Sequence, residues 1–174
     1  MKPIVVILGL VALCACASPV KNRNPVGEAF PSVRGNALSG ERYRLPEDLA
    51  GQPTLLLVAY DQGTQFDVDR WLLGLLQSGI ELRLFEVPTI EGWVPGLLET
   101  TIDDGMRAGI PDEDESLVIT VYDDAEQIVR FTGNERKRNA RAILLDAEGR
   151  VRWFHDEGYS ARVLLELLKS LESG

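Results

Sequence analysis

The sequence predicts an α/β fold in which a central mixed β-sheet carries helices on both faces and an N-terminal β-hairpin. Three observations predict it. Leu55 to Tyr60 is apolar throughout, as expected of a strand buried on both sides. Strand-like runs then alternate with amphipathic helical stretches as far as Phe131, the order of a sheet covered on two faces. Finally, Ala142 to Leu145 and Arg150 to Phe154 flank Asp146-Ala147-Glu148-Gly149, where glycine makes a positive φ cheap. A closing hairpin of that kind makes the sheet mixed rather than wholly parallel.

The elements follow in order. Val33 to Leu38 and Tyr43 to Leu45 read as short strands joined through Ser39-Gly40, and Gly51 and Pro53 break the chain before Leu55. Thr64-Gln65-Phe66-Asp67 has capping-box spacing, a hydroxyl with a carboxylate three residues on. Val68, Leu72, Leu75 and Leu76 then make a helical stripe that Gly79 ends. Ile80 to Val87 is the next strand. Pro95 suits a first helical position and opens a helix to about Ala108, closed by Gly109. The acids of Pro111-Asp112-Glu113-Asp114-Glu115 read as a solvated loop. Leu117 to Tyr122 is a third strand, followed by a short helix from Ala125 to Phe131. Ser160 caps a last helix carrying Val163, Leu164, Leu167, Leu168 and Leu171.

With 174 residues, 45% hydrophobic and 26% charged, the chain fits one globular domain with a sizeable core. Its first residues, MKPIVVILGLVALCAC, differ from the rest. Lys2 and the apolar run Ile4 to Leu13 have the form of an export signal, too short to span a bilayer comfortably. Leu13-Cys14-Ala15-Cys16 resembles the bacterial lipobox, which implies cleavage before Cys16 and acylation of that residue. Several acyl chains make a stable anchor where one would be marginal. Residues 1–15 are thus expected as signal peptide, 16–29 as a lipidated, flexible tether rich in proline and asparagine, and 30–174 as the domain. Ala17, rather than an aspartate, fits sorting to the outer membrane of a Gram-negative cell, with the domain facing the periplasm. An ordinary signal peptide cut near Ala17 is the alternative.

This arithmetic leaves the mature chain without a free thiol or a disulfide, because Cys14 departs with the signal and Cys16 carries lipid. Cleavage removes Lys2 and no acid, taking the formal charge from −9 to −10. So acidic a protein is not expected to bind nucleic acid or anionic lipid through a general field, and its membrane contact is expected through the acyl chains.

FPSVRGNALSGERYRLPEDLAGQPTLLLVAY resembles the opening of thioredoxin-like proteins of the peroxiredoxin and thiol-specific-antioxidant type, and RAILLDAEGRVRWFHDEGYS resembles their closing hairpin. The likeness spans most of residues 30–172. It implies a thioredoxin-like fold and, in that family, a reactive thiolate at the start of the first core helix, stabilised by helix-end amides. Here that loop, Asp61 to Asp67, contains no sulfur. The family's cis-proline before the closing hairpin is also missing, with Arg138-Asn139-Ala140-Arg141 in its place. A narrower likeness joins LFEVPTIEGWVPGLLETTIDDGMRAGIPDED and LLDAEGRVRWFHDEG to mitochondrial factors that assemble ATP synthase. Leu144, Asp146, Gly149, Val151, Arg152, Trp153 and Gly158 fit their closing pattern, while Ala142 and Ile143 stand where a tyrosine is often seen. An outer-membrane lipoprotein could not reach a subunit of the inner membrane, so that partner is not carried over.

The candidate binding residues are Asp61, Asp67, Arg138, Arg141 and Trp153. The basic run Arg136, Lys137, Arg138 and Arg141 is expected to lie beside Asp61, Asp67 and Asp69, as a site for an anion or acidic partner, or as a polar network in the vacated redox pocket. A solvated loop with ion pairs of about 0–1 kcal/mol each is the competing reading. Trp153, on an edge strand, could anchor a contact or belong to the core. His155 is the only histidine and has no second His or Cys ligand, so no metal and no cofactor is expected. The sequence therefore points to an exported, lipid-anchored protein without redox cysteines that binds a protein partner in envelope assembly or chaperoning. The alternatives are a peroxidase- or oxidoreductase-like protein drawing on a partner's cysteine, and a small-ligand or metal-binding module in the old cleft.

Overall fold

The computed structural model describes residues 19–92, 94 and 96–172. The export signal, Cys16, Ala17, Trp93 and the helix-opening Pro95 lie outside the described residues.

Strands β1 (Val33–Ala37) and β2 (Arg42–Leu45) form the antiparallel N-terminal hairpin. The central strand β3 (Thr54–Ala59) runs parallel to β4 (Arg83–Pro88) and antiparallel to β6 (Arg141–Leu145), and β6 pairs with β7 (Val151–His155). Strand β5 (Ile119–Thr120) pairs with β1 and touches the β4 side through isolated parallel bridges at Glu86–Val118 and Thr89–Val121. Two sheets, β2-β1-β5 and β4-β3-β6-β7, therefore meet along β5 and β4. The helices are α1 (Gln65–Ser78), α2 (Gly96–Arg107), α3 (Ala125–Thr132) and α4 (Ala161–Glu172).

Alternation along the strands explains the layering. Leu56, Val58, Ile143 and Leu145 point to the face shared with the hairpin and α3, where they meet Phe30, Val33, Ile128 and Phe131. Leu55, Leu57, Ala142 and Leu144 point to the other face and meet Val68, Trp71 and Leu75 of α1 and Val163, Leu164 and Leu167 of α4. Each such buried side chain contributes about 1.5–3 kcal/mol by removing apolar surface from water. This is the expected mixed sheet with helices on both faces.

Three local expectations change. Strand β4 begins at Arg83 rather than Ile80, because Gly79 leaves α1 at φ 68° and three residues carry the chain back to the sheet. The third strand shrinks to two residues, with Val118 and Val121 making only single bridges. The segment expected to be a flexible tether is docked from Val20 onward. Val20 and Asn134 exchange hydrogen bonds of 2.7 and 2.9 Å, Arg23 donates its amide to the Thr132 carbonyl, and Gly27 and Glu28 bond to Val151. Gly133 permits this approach: its φ is +78°, and a Cβ there would sit 2.4 Å from the Asn22 Cα.

Candidate functional site

The loop between β3 and α1 occupies the position where the thiol was expected from the family resemblance. Asp61 caps its own turn by accepting the Gly63 amide at 2.7 Å. Thr64 does not cap α1. Its buried hydroxyl instead donates to the Lys137 carbonyl at 2.5 Å, tying the loop to the segment before β6.

Asp67 performs the long-range work that the capping-box pattern assigned locally. It is 7% exposed, and its two carboxylate oxygens accept the Ala140 amide at 3.0 Å and the Tyr159 amide at 2.8 Å. One side chain thus joins the first turn of α1 to the starts of β6 and α4. Proline has no amide hydrogen, so a proline at residue 140 would remove one of these bonds.

Arg141 is fully buried. It donates to the Arg136 and Asn139 carbonyls at 2.7 Å each and to Asn22 Oδ1 at 3.2 Å, and its guanidinium lies 5.0 Å from the Tyr60 ring centroid. Burial lowers its pKa from the ordinary guanidinium value. No carboxylate among the described residues pairs with it directly. Asn22 bridges it to a carboxylate, accepting from Arg141 at Oδ1 and donating from Nδ2 to Asp156 at 2.6 Å. Tyr60 is itself held by Thr132 Oγ1 at 2.6 Å, and burial pushes its phenol well above the ordinary range.

The structure therefore brings Asp61, Asp67, Arg138 and Arg141 to one end of the molecule, but not as a cationic run facing helix acids. Among the described residues, Arg136 pairs with Glu157 at 2.7 Å and Lys137 with Glu91 at 3.7 Å, while Asp69 accepts a hydrogen bond from Gln65. Arg138 is exposed and its side chain passes over Gly63. Trp153 is half-buried and packs against core residues, edge-on to Trp71 at 6.1 Å and stacked with His155 at 6.0 Å. Sequence reasoning missed Asn22, Tyr60 and Asp156, and no local pattern marks them.

Chemically, the arrangement is closed. Thr64 has committed its hydrogen to a carbonyl, and His155 Nε2 is 2.9 Å from the Gly158 carbonyl oxygen. Among the described residues, no group of three His, Cys, Asp or Glu side chains comes together to hold a metal. Beside the exposed charges of this end, α1 presents apolar side chains. Phe66, in the first turn of α1, is 81% exposed, and Leu73 and Leu76 continue along the helix at 55% and 78%. A separate cleft of about 570 Å³ lies between the N-terminal hairpin and α2, lined by Arg34, Arg42, Arg44, Asp48, Glu99 and Tyr122.

No protein-family model matches the sequence, and no curated protein matches it. Solved structures do match the fold. An exposed lipoprotein thioredoxin from Streptococcus pneumoniae is 15% identical with a TM-score of 0.52, over 80% of this chain and 98% of that one. A thiol peroxidase from Chromobacterium violaceum is 16% identical with a TM-score of 0.57, over 89% and 92%. Copper-bound yeast Sco1 is 14% identical with a TM-score of 0.55, over 87% and 96%. The fold is thioredoxin-like.

Proposed function

We propose that this chain is an exported, lipid-anchored thioredoxin-fold protein that works without thiol chemistry, by binding a protein partner in assembly or chaperoning within the cell envelope. One observation carries the reading. At the end of the fold where α1 begins, the Thr64, Asp67 and Arg141 side chains are tied to neighbouring backbone, and an exposed phenylalanine stands in the same helical turn as Asp67. Aromatic side chains of this kind anchor interfaces. The sequence supports the reading independently, since its two cysteines are Cys14 and Cys16, in the lipobox-like segment. The pneumococcal neighbour, an exposed lipoprotein by its own description, supports an envelope location.

The test is site-specific photocrosslinking in living cells. A photoreactive residue in place of Phe66 should give a discrete protein adduct that one in place of Glu148 does not. Equal adducts, or none, at both positions would overturn the reading. A ligand-binding module is the second reading, and the hairpin–α2 cleft favours it. Binding of a small molecule there would raise Tm in proportion to ligand concentration, and Arg42→Gln would abolish the rise.

A further inference from the structure

We infer that the docked N-terminal segment holds the α1-start end of this domain against the bilayer surface, so that this end meets its partner close to the membrane. The inference rests on acylation of Cys16, and it deepens the binding role by fixing where the partner must be met.

The argument is one of reach. An extended chain spans about 3.5 Å per residue. Val20, the first of the described residues bonded to the domain, therefore lies within about 14 Å of an acylated Cys16, four residues earlier. From Val20 the chain is fixed. Asn22 donates its amide to Glu135 and accepts the Glu135 amide, both at 2.9 Å, while its side chain bonds Asp156 and Arg141. A long tether would let the domain tumble freely, and this arrangement leaves only a few residues to do so.

The strand register identifies the end that is held. Ala59 of β3, Pro88 of β4 and Arg141 of β6 lie at one end of the sheet, together with the Asp61–Thr64 loop and the first turn of α1. Residues 134 and 135, where the segment docks, precede β6 at this same end. The turn at Asp146–Gly149 lies beyond the other end, past the Thr54–Leu145 pair. Six residues of β3 separate the two ends, about 20 Å at strand rise.

Phe66 is exposed at the held end. Charges of both signs surround it: Lys137 and Arg138 against Asp61, Glu91 and Glu157. The orientation is accordingly set by the short connection, and anionic lipid is not required.

The test uses the anchored protein in phosphatidylethanolamine–phosphatidylglycerol vesicles. Mass spectrometry of the N-terminal peptide first establishes the acyl groups on Cys16. A fluorophore is then attached through Lys137→Cys or, separately, Glu148→Cys, and quenched from the lipid headgroups. The account expects several-fold stronger quenching at residue 137, and loss of the difference when twelve Gly/Ser residues are inserted after Ala17. An acylated protein quenched equally at both positions would overturn the orientation while leaving the anchor intact. A chain without acyl groups would overturn the anchor, and the orientation with it.

Discussion

At the start of α1, Asp67 and Arg141 are buried; both Asp67 oxygens and the two terminal Arg141 nitrogens are engaged by backbone amides, carbonyls and Asn22, while Arg141 Nε has no partner among the described residues. On the outer face of the N-terminal hairpin, Arg34, Arg42 and Arg44 stand in solvent near Asp48, Glu99 and Asp123. Arg34 even sits directly opposite Arg44 across the strand pair. Both regions collect the same residue types, but water decides what each collection does. In solvent, like charges tolerate one another and ion pairs contribute little. In the interior, each group must find its partner, and the partners then fix how three segments of the chain meet.

The sharpest way to break this contrast is Asp67→Ala. It leaves the Ala140 and Tyr159 amides without their acceptor and should cost about 3–5 kcal/mol, lowering Tm by roughly 10 °C in a thermal melt. Ala140→Pro removes one of those two bonds and should cost about 2–3 kcal/mol in urea unfolding. A variant as stable as the parent would show that Asp67 is not the clasp described. Asn22→Ala should cost about 1–2 kcal/mol and expose the Lys21 and Arg23 peptide bonds to trypsin, since the side chain bridges Arg141, Asp156 and Glu135. Arg44→Gln, on the solvated face, should change stability by less than about 0.5 kcal/mol.

Glu86 falls between the two regimes and sharpens the comparison through pH. Burial raises its pKa, opposed by a hydrogen bond from Gln65 and assisted by the Asp69 and Asp114 charges. The folded state therefore binds this proton more tightly than the unfolded chain does. Its contribution is most favourable at acid pH and is lost as pH rises through the folded pKa. Glu86→Gln should accordingly stabilise the protein near pH 7, with the gain vanishing toward pH 4. The difference in Tm between variant and parent across that range checks the sign.

The legible part of this molecule is the part written as periodicity. Leu55 to Val58 and the stripe of α4 bury apolar faces at the spacing of their own secondary structure, so strand and helix order could be read directly; in α1 Val68 and Leu75 are buried as expected, but Trp71 takes the place of Leu76, which is 78% exposed. The docking of Val20 to Ala29 could not. It is carried by backbone amides and one asparagine bonded to residues more than 100 positions away, and it leaves no trace in local composition. The Thr64–Asp67 spacing misled for a related reason. A local pattern predicts local satisfaction, yet both side chains found stronger geometry across the fold, at Lys137, Ala140 and Tyr159. Trp153 shows the converse: an edge strand next to α4 still buries an aromatic ring.

The central claim is that this scaffold acts by contact and not through sulfur. Its most direct test is the rate at which the mature, acylated protein reduces hydrogen peroxide or insulin disulfides in the presence of dithiothreitol. The account predicts a rate indistinguishable from dithiothreitol alone. A rate well above it, proportional to protein concentration, would contradict the account.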